Sequence, residues 1–509
     1  IPNSAVLDTI VARAKSLGYD PGSLGGASNI SNQETYIGKL DWNISDSHRL
    51  SLTYRRNYGE EAIFPSYTSS STTSLSNYWY QQPRKTDSYV AQLNSQWTSD
   101  FRTEVTASYT KYDGSPSNKG AAFPEVLING VAGTRASDGA PLTGGVYLGT
   151  ESSRQLNQII TKETQGKVLG EWSRGDHTIT FGVEDISTKY NNAFIQATNG
   201  RYVFSTPTTW AAGTPPSAYT LAKPYAGGSI EDAIARWKYD AYGAFIEDTW
   251  RPNSQLTLLY GLRFDYPYIG EKPPVAPGFE ASFGAPNNTT NSGNYTAAPR
   301  LGFTYEFKTA RKTQLRGGVG LFQGKSAAVW ISNAYSNAGS VYSYNASSAE
   351  LPLITFNPDP NTQTVPGASS PAPNINVTSP NFIQPSLWKS NIAIDRELPF
   401  GGIIFTAEYY YNIVETAPQT LFLNYREAGA LLGRRHREPE LGQREAVVEQ
   451  QLLERRHLGE EPRVLLRRAE VHDVLDARAG VPGPVEQGDL TTRGEPRDVA
   501  LEVPLPLLV

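Results

Sequence analysis

The chain has 509 residues, with 45 basic and 50 acidic side chains and no cysteine. The near balance of charge argues against a nucleic-acid partner, and the absence of thiols excludes disulfides, thiolate metal sites and cysteine nucleophiles. Its 29 tyrosines, 18 phenylalanines and 9 tryptophans favour aromatic-rich antiparallel strands joined by polar loops.

Residues 1–32 form a lead-in segment that we expect to contain a short helix. No stretch approaches ~18 consecutive apolar residues, which excludes a transmembrane helix, but a transmembrane β-strand alternates apolar and polar residues and escapes that test. The chain begins at Ile1 without a signal peptide, so we expect a piece of a longer protein.

Two alternating strands joined by a short turn form the first repeated unit. Residues 33–46 lead into this turn, and the return strand places Leu50, Leu52 and Tyr54 on one face. The unit recurs with turns near Ser99-Asp100, Gly175-Asp176, Pro252-Asn253-Ser254, Thr309-Ala310-Arg311 and Pro399-Phe400-Gly401-Gly402. These units predict about twelve strands.

Long polar segments alternate strictly with the short turns. They cover residues 62–85, 116–157, 195–235, 271–294 and 326–384. A soluble domain seldom carries so many long loops, whereas an outer-membrane barrel has short periplasmic turns and long extracellular loops. We therefore predict an all-β fold, in which residues 33–424 form a partial antiparallel transmembrane β-barrel with long extracellular loops.

Aromatic residues recur near the strand ends, where a ring would lie at the level of the lipid headgroups. They are Trp42, Trp97, Trp172, Trp250 and the run Tyr409-Tyr410-Tyr411. Ordinary strand propensity is the alternative explanation for each one.

Motifs of catalysis are missing from the sequence: it has no His-Glu-x-x-His, no phosphate-binding P-loop and no Gly-x-Ser-x-Gly. We predict no enzymatic activity, no catalytic residue, no metal site and no cofactor. His48 and His177 each follow an Asp-containing tight turn, which favours a turn role over ligation.

Charged strand residues are costly toward lipid, so we predict that they face the lumen. They are Glu247, Asp248, Arg263, Asp265, Arg300 and Arg316. A functional interpretation is that these charges contact a plug or guide a substrate. The structural alternative is that they solvate the lumen and form pairs across neighbouring strands. For capture of a ligand by the loops, the aromatic candidates are Trp210, Tyr225, Trp330 and Tyr335.

Two stretches carry a family resemblance. Residues 242–250 (YGAFIEDTW) and 256–265 (LTLLYGLRFD) resemble the central barrel hairpin of TonB-dependent outer-membrane receptors, and residues 299–303 and 316–322 resemble the following hairpin. Residues 39–43 (KLDWN) and 48–50 (HRL) resemble the Oar-like branch of that family.

This resemblance, which covers about residues 1–424, implies a barrel of about 22 strands that an N-terminal plug occludes. It implies import of an unidentified ligand across the outer membrane of a Gram-negative-type bacterium, with energy from the TonB complex. The expected partners are outer-membrane lipid, the imported ligand and TonB, although no plug or TonB-contacting box is found in this sequence.

Residues 425–509 have a different composition. After Tyr425 there is no aromatic residue and no Lys, Ser, Asn or Ile, and Arg and Glu dominate. We prefer an out-of-frame translation, irregular or disordered, over a genuine Arg/Glu-rich helical domain.

Two other functions stay open. A passive or adhesive outer-membrane barrel would bind a surface partner through its loops. A soluble β-rich protein that binds or hydrolyses glycans would bury its apolar strand faces and place a carboxylate pair in a cleft.

Overall fold

The computed structural model describes residues 1–26, 31–67, 71–135, 137–367, 371–421 and 423. The predicted aberrant tail, residues 425–509, lies outside these described residues. None of the described helices is both long and apolar enough to cross a bilayer.

The described chain is mostly β-strand with a few short helices. The strands are β1 (Asn32–Ser45), β2 (His48–Ile63), β3 (Thr72–Ser74), β4 (Tyr80–Gln96), β5 (Phe101–Asp113), β6 (Ser117–Asn118), β7 (Glu125–Thr134), β8 (Pro141–Leu148), β9 (Leu156–Arg174), β10 (His177–Ile195), β11 (Arg201–Phe204), β12 (Ala218–Pro224), β13 (Ala235–Trp250), β14 (Leu256–Tyr268), β15 (Thr296–Glu306), β16 (Thr313–Gln323), β17 (Val341–Asn345), β18 (Ser386–Glu397) and β19 (Ile404–Thr416). The helices are α1 (Ser4–Ser16), α2 (Pro207–Ala212), α3 (Phe279–Phe283) and α4 (Ala328–Ser336).

Twelve long strands form one antiparallel sheet, in the order β1-β2-β4-β5-β9-β10-β13-β14-β15-β16-β18-β19, and the short β6 pairs beside β4. Each of the six predicted short turns joins two neighbours in this order. In the turn between β9 and β10, Gly175 has a φ of 61°, a left-handed conformation that favours glycine. The prediction of about twelve antiparallel strands is confirmed.

The two faces of this sheet differ in polarity. On one face the apolar residues of neighbouring strands align in rows, such as Val105, Val168 and Val183. They remain exposed, with Val183 at 56% and Ile246 of β13 at 55%. An exposed apolar face suits contact with lipid, so we call it the outer face and the opposite one the lumen face.

A second sheet is built from the long segments and was not expected from the sequence. Its six strands follow the order β17-β12-β11-β7-β8-β3, with parallel pairing of β11 to β7 and of β3 to β8. We call this sheet with the helices packed on it the loop unit. The long loops are therefore folded, because they bury apolar residues against one another.

Helix α1 of the lead-in segment packs into the loop unit. Asn3 caps the helix by accepting a hydrogen bond from the backbone N–H of Ala5 at 3.0 Å. Its Ile10 is fully buried, and the indole N–H of Trp210 on α2 donates to the Ile10 carbonyl at 3.1 Å. The predicted short helix is present, while the segment boundary at residue 32 stays a prediction.

Substitution Trp210→Ala should open the loop unit and leave the main sheet folded. The indole is 1% exposed, and its ring centroid lies 5.1 Å from those of Phe204 and Phe356. We expect loss of about 3–5 kcal/mol in the free energy of unfolding of this unit. Hydrogen exchange of β7 and β11 measures the loss. Trp330→Ala, which changes a half-buried residue of α4, is the matched control, and equal protection in both variants would contradict this role.

Candidate functional site

The lumen face carries an ion-pair cluster centred on Arg263 of β14. Its guanidinium donates to Asp265 at 2.6–3.0 Å and also binds Glu184 of β10. The side chains of Arg263 and Glu184 are only 20% and 13% exposed. Pairing of partly buried charges in this way offsets the cost of removing them from water.

Gly243 makes the long reach of Arg263 possible. Strand β13 lies between β10 and β14, and Gly243 is the register partner of both Glu184 and Asp265. A Cβ atom at this position would lie 2.6 Å from Nη2 of Arg263 and 3.0 Å from Cγ of Glu184. Because Gly243 has no side chain, the guanidinium of Arg263 can cross over β13 and reach Glu184.

A second cluster centres on Arg316 of β16. Its Nε donates to Asp395 of β18 at 3.0 Å, and its Nη2 lies 3.2 Å from Glu408 of β19. The amide of Asn391 donates to Glu408 at 2.7 Å, which completes a network over three strands. Cross-strand pairs of opposite charge such as these stabilise a sheet.

The remaining lumen candidates occupy the region between the two clusters. Arg300 of β15 and Glu247 of β13 are register partners of the same residue, Gly261 of β14. The guanidinium carbon of Arg300 lies 5.1 Å from the centre of the Phe322 ring, a cation–π contact.

Asp248 does not belong to the lumen face. Successive strand residues point to opposite faces, so Asp248 and Glu247 cannot share one. Asp248 lies on the outer face with Ile246, where its Oδ2 accepts from the Tyr260 hydroxyl at 2.6 Å and lies 2.6 Å from Nδ1 of His177. The predicted lumen position of Asp248 is wrong, because strand alternation turns its side chain to the lipid side, where His177 and Tyr260 of the two neighbouring strands are its hydrogen-bond partners.

The four loop aromatics are not brought together in one site. Trp210 lies in the core of the loop unit, and the Tyr335 side chain is 5% exposed, with its hydroxyl donating to the Glu271 carbonyl at 2.5 Å. The hydroxyl of Tyr225 donates to the Pro371 carbonyl at 2.5 Å. The structure thus gives Trp210 and Tyr335 a packing role and corrects the expectation that their rings are available to a ligand.

Helix α4 packs on the lumen face through a stack of three aromatic rings. Trp237 of β13 lies between Tyr190 of β10 and Tyr335 of α4, with ring centroids 4.4 Å and 5.6 Å away. The Trp237 indole also donates to Ser332 of α4 at 2.9 Å. Sequence reasoning missed this contact because it joins segments that are about 95 residues apart.

A buried carboxylate connects four segments of the loop unit. Glu125 is 2% exposed and accepts from Nε of Arg201 at 2.6 Å, from the Ser152 amide at 2.6 Å and from the Tyr78 hydroxyl at 2.9 Å. Burial, followed by the negative charge of Glu125, raises the pKa of Tyr78. This network fixes the loop strands relative to one another.

Nearby, burial raises the pKa of Glu151, although hydrogen bonds from Ser153 oppose the shift. A second loop tyrosine, Tyr344 of β17, has its pKa raised to about 12, mainly by burial. Both shifts follow from the burial of these side chains in the loop unit, which disfavours their charged forms.

The described residues contain no group of three or more histidine, aspartate or glutamate side chains suited to a metal ion.

Comparison with known families gives a match to the outer membrane beta barrel domain over residues 13–448. The chain belongs to this family. It is accordingly a protein of the outer membrane, and the family is one of membrane barrels, not of enzymes. The matched region begins within α1 and extends beyond residue 425, where the composition changes.

Several solved outer-membrane proteins are similar in structure. The outer membrane transporter YddB from Escherichia coli is 13% identical with a TM-score of 0.49, over 78% of this chain and 43% of that one. The copper transporter OprC is 12% identical with a TM-score of 0.40, over 78% and 48%. A mutant ferric enterobactin receptor from Pseudomonas aeruginosa is 12% identical with a TM-score of 0.43, over 80% and 46%.

The chain thus spans less than half the length of each of these three proteins. No curated protein matches the chain.

Substitution Gly243→Ala should disconnect Arg263 from Glu184. The added methyl group occupies the path of the guanidinium, and we expect the free energy of unfolding to fall by about 1.5–3 kcal/mol, the contribution of a hydrogen bond between charged groups. Urea unfolding in detergent micelles measures the change. Gly166→Ala is the matched control, because a Cβ there meets nothing within 4 Å. If the loss persists unchanged in an Arg263→Gln background, the blocked ion pair is not its cause.

Substitution Glu151→Gln should stabilise the loop unit at alkaline pH. The folded-state pKa lies above the unfolded one, so the contribution of Glu151 to stability is full below the unfolded pKa and is lost as the pH rises through the folded pKa. We expect a higher unfolding temperature than wild type at about pH 8 and the same temperature at about pH 4. Circular dichroism melts at both values test this, with exposed Glu280→Gln as control. An equal shift at both pH values would contradict it.

Proposed function

We propose that the chain forms part of the wall of a TonB-dependent outer-membrane importer of the Oar-like branch. Family membership supports the location, and the polar lumen face carries the functional argument. A barrel that encloses only packed apolar side chains has no use for ion-pair clusters around Arg263 and Arg316, whereas a wall that faces water, a plug or a polar ligand does.

In this proposal the lumen charges position the occupant of the barrel. Arg263, Asp265, Arg300, Arg316 and Glu247 lie on strands from β13 to β16, so they form one continuous polar surface. The ligand class is a metal chelate, a glycan or a peptide. Import also needs a plug and a segment that contacts TonB, and we place both in a longer protein of which this chain is a piece.

A second candidate function is a passive or adhesive barrel that binds a surface partner. The folded loop unit favours it, because a sheet with its own core holds exposed loops in fixed positions, as recognition requires. On this hypothesis the lumen is never actively opened.

Uptake by living cells separates the two functions. Gram-negative cells that produce the full-length protein are given a radiolabelled iron chelate, a fluorescent oligosaccharide or a fluorescent peptide. We expect accumulation of one probe, which falls to background when TonB is deleted, because transport then lacks its energy source. Accumulation that survives the deletion indicates a passive pore. Surface binding without accumulation indicates the adhesive function, and both results contradict active import.

A further inference from the structure

Four lysines form an unbroken row across the outer face. Lys111 of β5 is the register partner of Lys162 of β9, Lys162 that of Lys189 of β10, and Lys189 that of Lys238 of β13. Side chains of directly opposed strand residues lie about 4.5–5.5 Å apart at Cβ. The sheet therefore holds four like charges in one line.

The row shares its face with residues that contact lipid. Two strand steps separate residues of one face, so Lys111 follows Tyr109 and Val105, and Lys189 follows Val183. The flanking Thr188 and Tyr190 of β10 are buried on the lumen side. Like Asp248, these lysines are charged residues on the lipid side, which charged strand residues generally avoid.

The height of the row corresponds to the outer headgroup layer. Phe101 and Trp172 are register partners next to the short turns, and Lys111 lies further along β5 toward the loop unit. From residue 101 to residue 111 the strand rises about 33 Å, or about 23 Å along the membrane normal at a tilt of ~45°. The outward apolar band of such barrels is ~25 Å tall, so the ammonium groups lie at its outer edge.

Acidic residues lie next to the lysines at the two ends of the row, on β5 and β13. Lys238 pairs with Asp240 at 2.8 Å, and Asp87, the register partner of Lys111, lies 4.0 Å from Arg56. Within the part of the chain that the structure describes, Lys162 and Lys189 have no acid within 4.0 Å. Like charges directly opposite each other destabilise a sheet, and a nearby hydrocarbon layer weakens the screening that would relieve them.

The adjacent row adds two hydroxyl donors and one carboxylate, Asp240 of β13, which is the register partner of Ser187 and pairs with Lys238. Thr164 of β9 and Ser187 of β10 are register partners, one step closer to the apolar band than the lysines. Lysine ammonium groups and hydroxyls are groups that bind phosphate oxygens, and basic clusters at a membrane surface attract anionic headgroups.

We propose that this lysine row, with Thr164 and Ser187, binds the phosphate groups of a phosphorylated lipid in the outer leaflet. The occupant has to neutralise the ammonium groups and at the same time lie against the apolar rows beneath them. A lipid with a phosphorylated headgroup meets both conditions through one molecule, since its acyl chains cover the band that includes Val168 and Val183.

The test uses the full chain in detergent micelles with lipid A, a bisphosphorylated lipid, as the probe. Native mass spectrometry compares its binding with that of dephosphorylated lipid A, and a third arm adds inorganic phosphate as competitor. The row variant is K111Q/K162Q/K189Q. The matched control K308Q/K312Q/K325Q removes the same charge from exposed residues outside the row, and K111R/K162R/K189R keeps the charge.

We expect lipid A to bind the wild type, the control and the arginine variant at least about tenfold more tightly than dephosphorylated lipid A, a preference that the row variant loses. Equal binding of the two lipids by the wild type overturns the proposal, and so does an equal loss in the control. Full competition by equimolar inorganic phosphate would mean that the row binds free phosphate, which overturns the proposal that a lipid supplies the phosphate group.

Misfolding is separated from loss of binding by melting without lipid. The row variant removes repulsion between exposed charges, so we expect its unfolding temperature to equal or exceed that of the wild type. If the triple variant does not fold, the single variant K162Q, at the centre of the row, is measured instead and should bind lipid A several-fold more weakly. Wild-type affinity in K162Q would then overturn the proposal.

Discussion

The structure depends on one constraint, which is that a backbone in lipid must satisfy its hydrogen bonds within the protein. The antiparallel ladder from β1 to β19 meets this requirement for every strand inside the sheet, because each lies between two hydrogen-bonded neighbours. With the backbone paired, the alternation of side chains decides what each face contacts. Apolar side chains such as Ile246 point outward, and the charges of Arg263 and Arg316 are held on the lumen face.

On the lumen face, a glycine on one strand allows charged side chains of the two flanking strands to meet. Gly243 carries no side chain, which lets Arg263 reach across β13 to Glu184. Two ion pairs on the lumen face therefore join strands that are not adjacent, Arg263 with Glu184 and Arg316 with Glu408. On the outer face, register aligns four lysines. Lys238 pairs with Asp240, but Lys162 and Lys189 have no acid within 4.0 Å in the part of the chain that the structure describes, so this surface suits an anion from the membrane.

The loop unit adds a second core beyond the membrane sheet. Its strands pair segments as distant as β12 and β17, and Glu125 joins four of its segments through hydrogen bonds. Helix α4, which precedes β17 of the loop unit in the chain, packs on the main sheet, because Tyr335 stacks on Trp237 of the lumen face. A ligand from outside would therefore meet folded surfaces, not free loops.

The sequence by itself determined the twelve strands, their short turns and the membrane barrel, because period-two alternation and tight-turn residues are local signals. It also predicted that Arg263 and Asp265 share a face. It placed Asp248 wrongly because neighbouring charges in the sequence, Glu247 and Asp248, point to opposite faces. Only the tertiary structure decided the loop unit, the packing of Trp210, the partners Glu184 and Glu408, and the lysine row. Each of these depends on register between segments far apart in the chain, which no local pattern encodes.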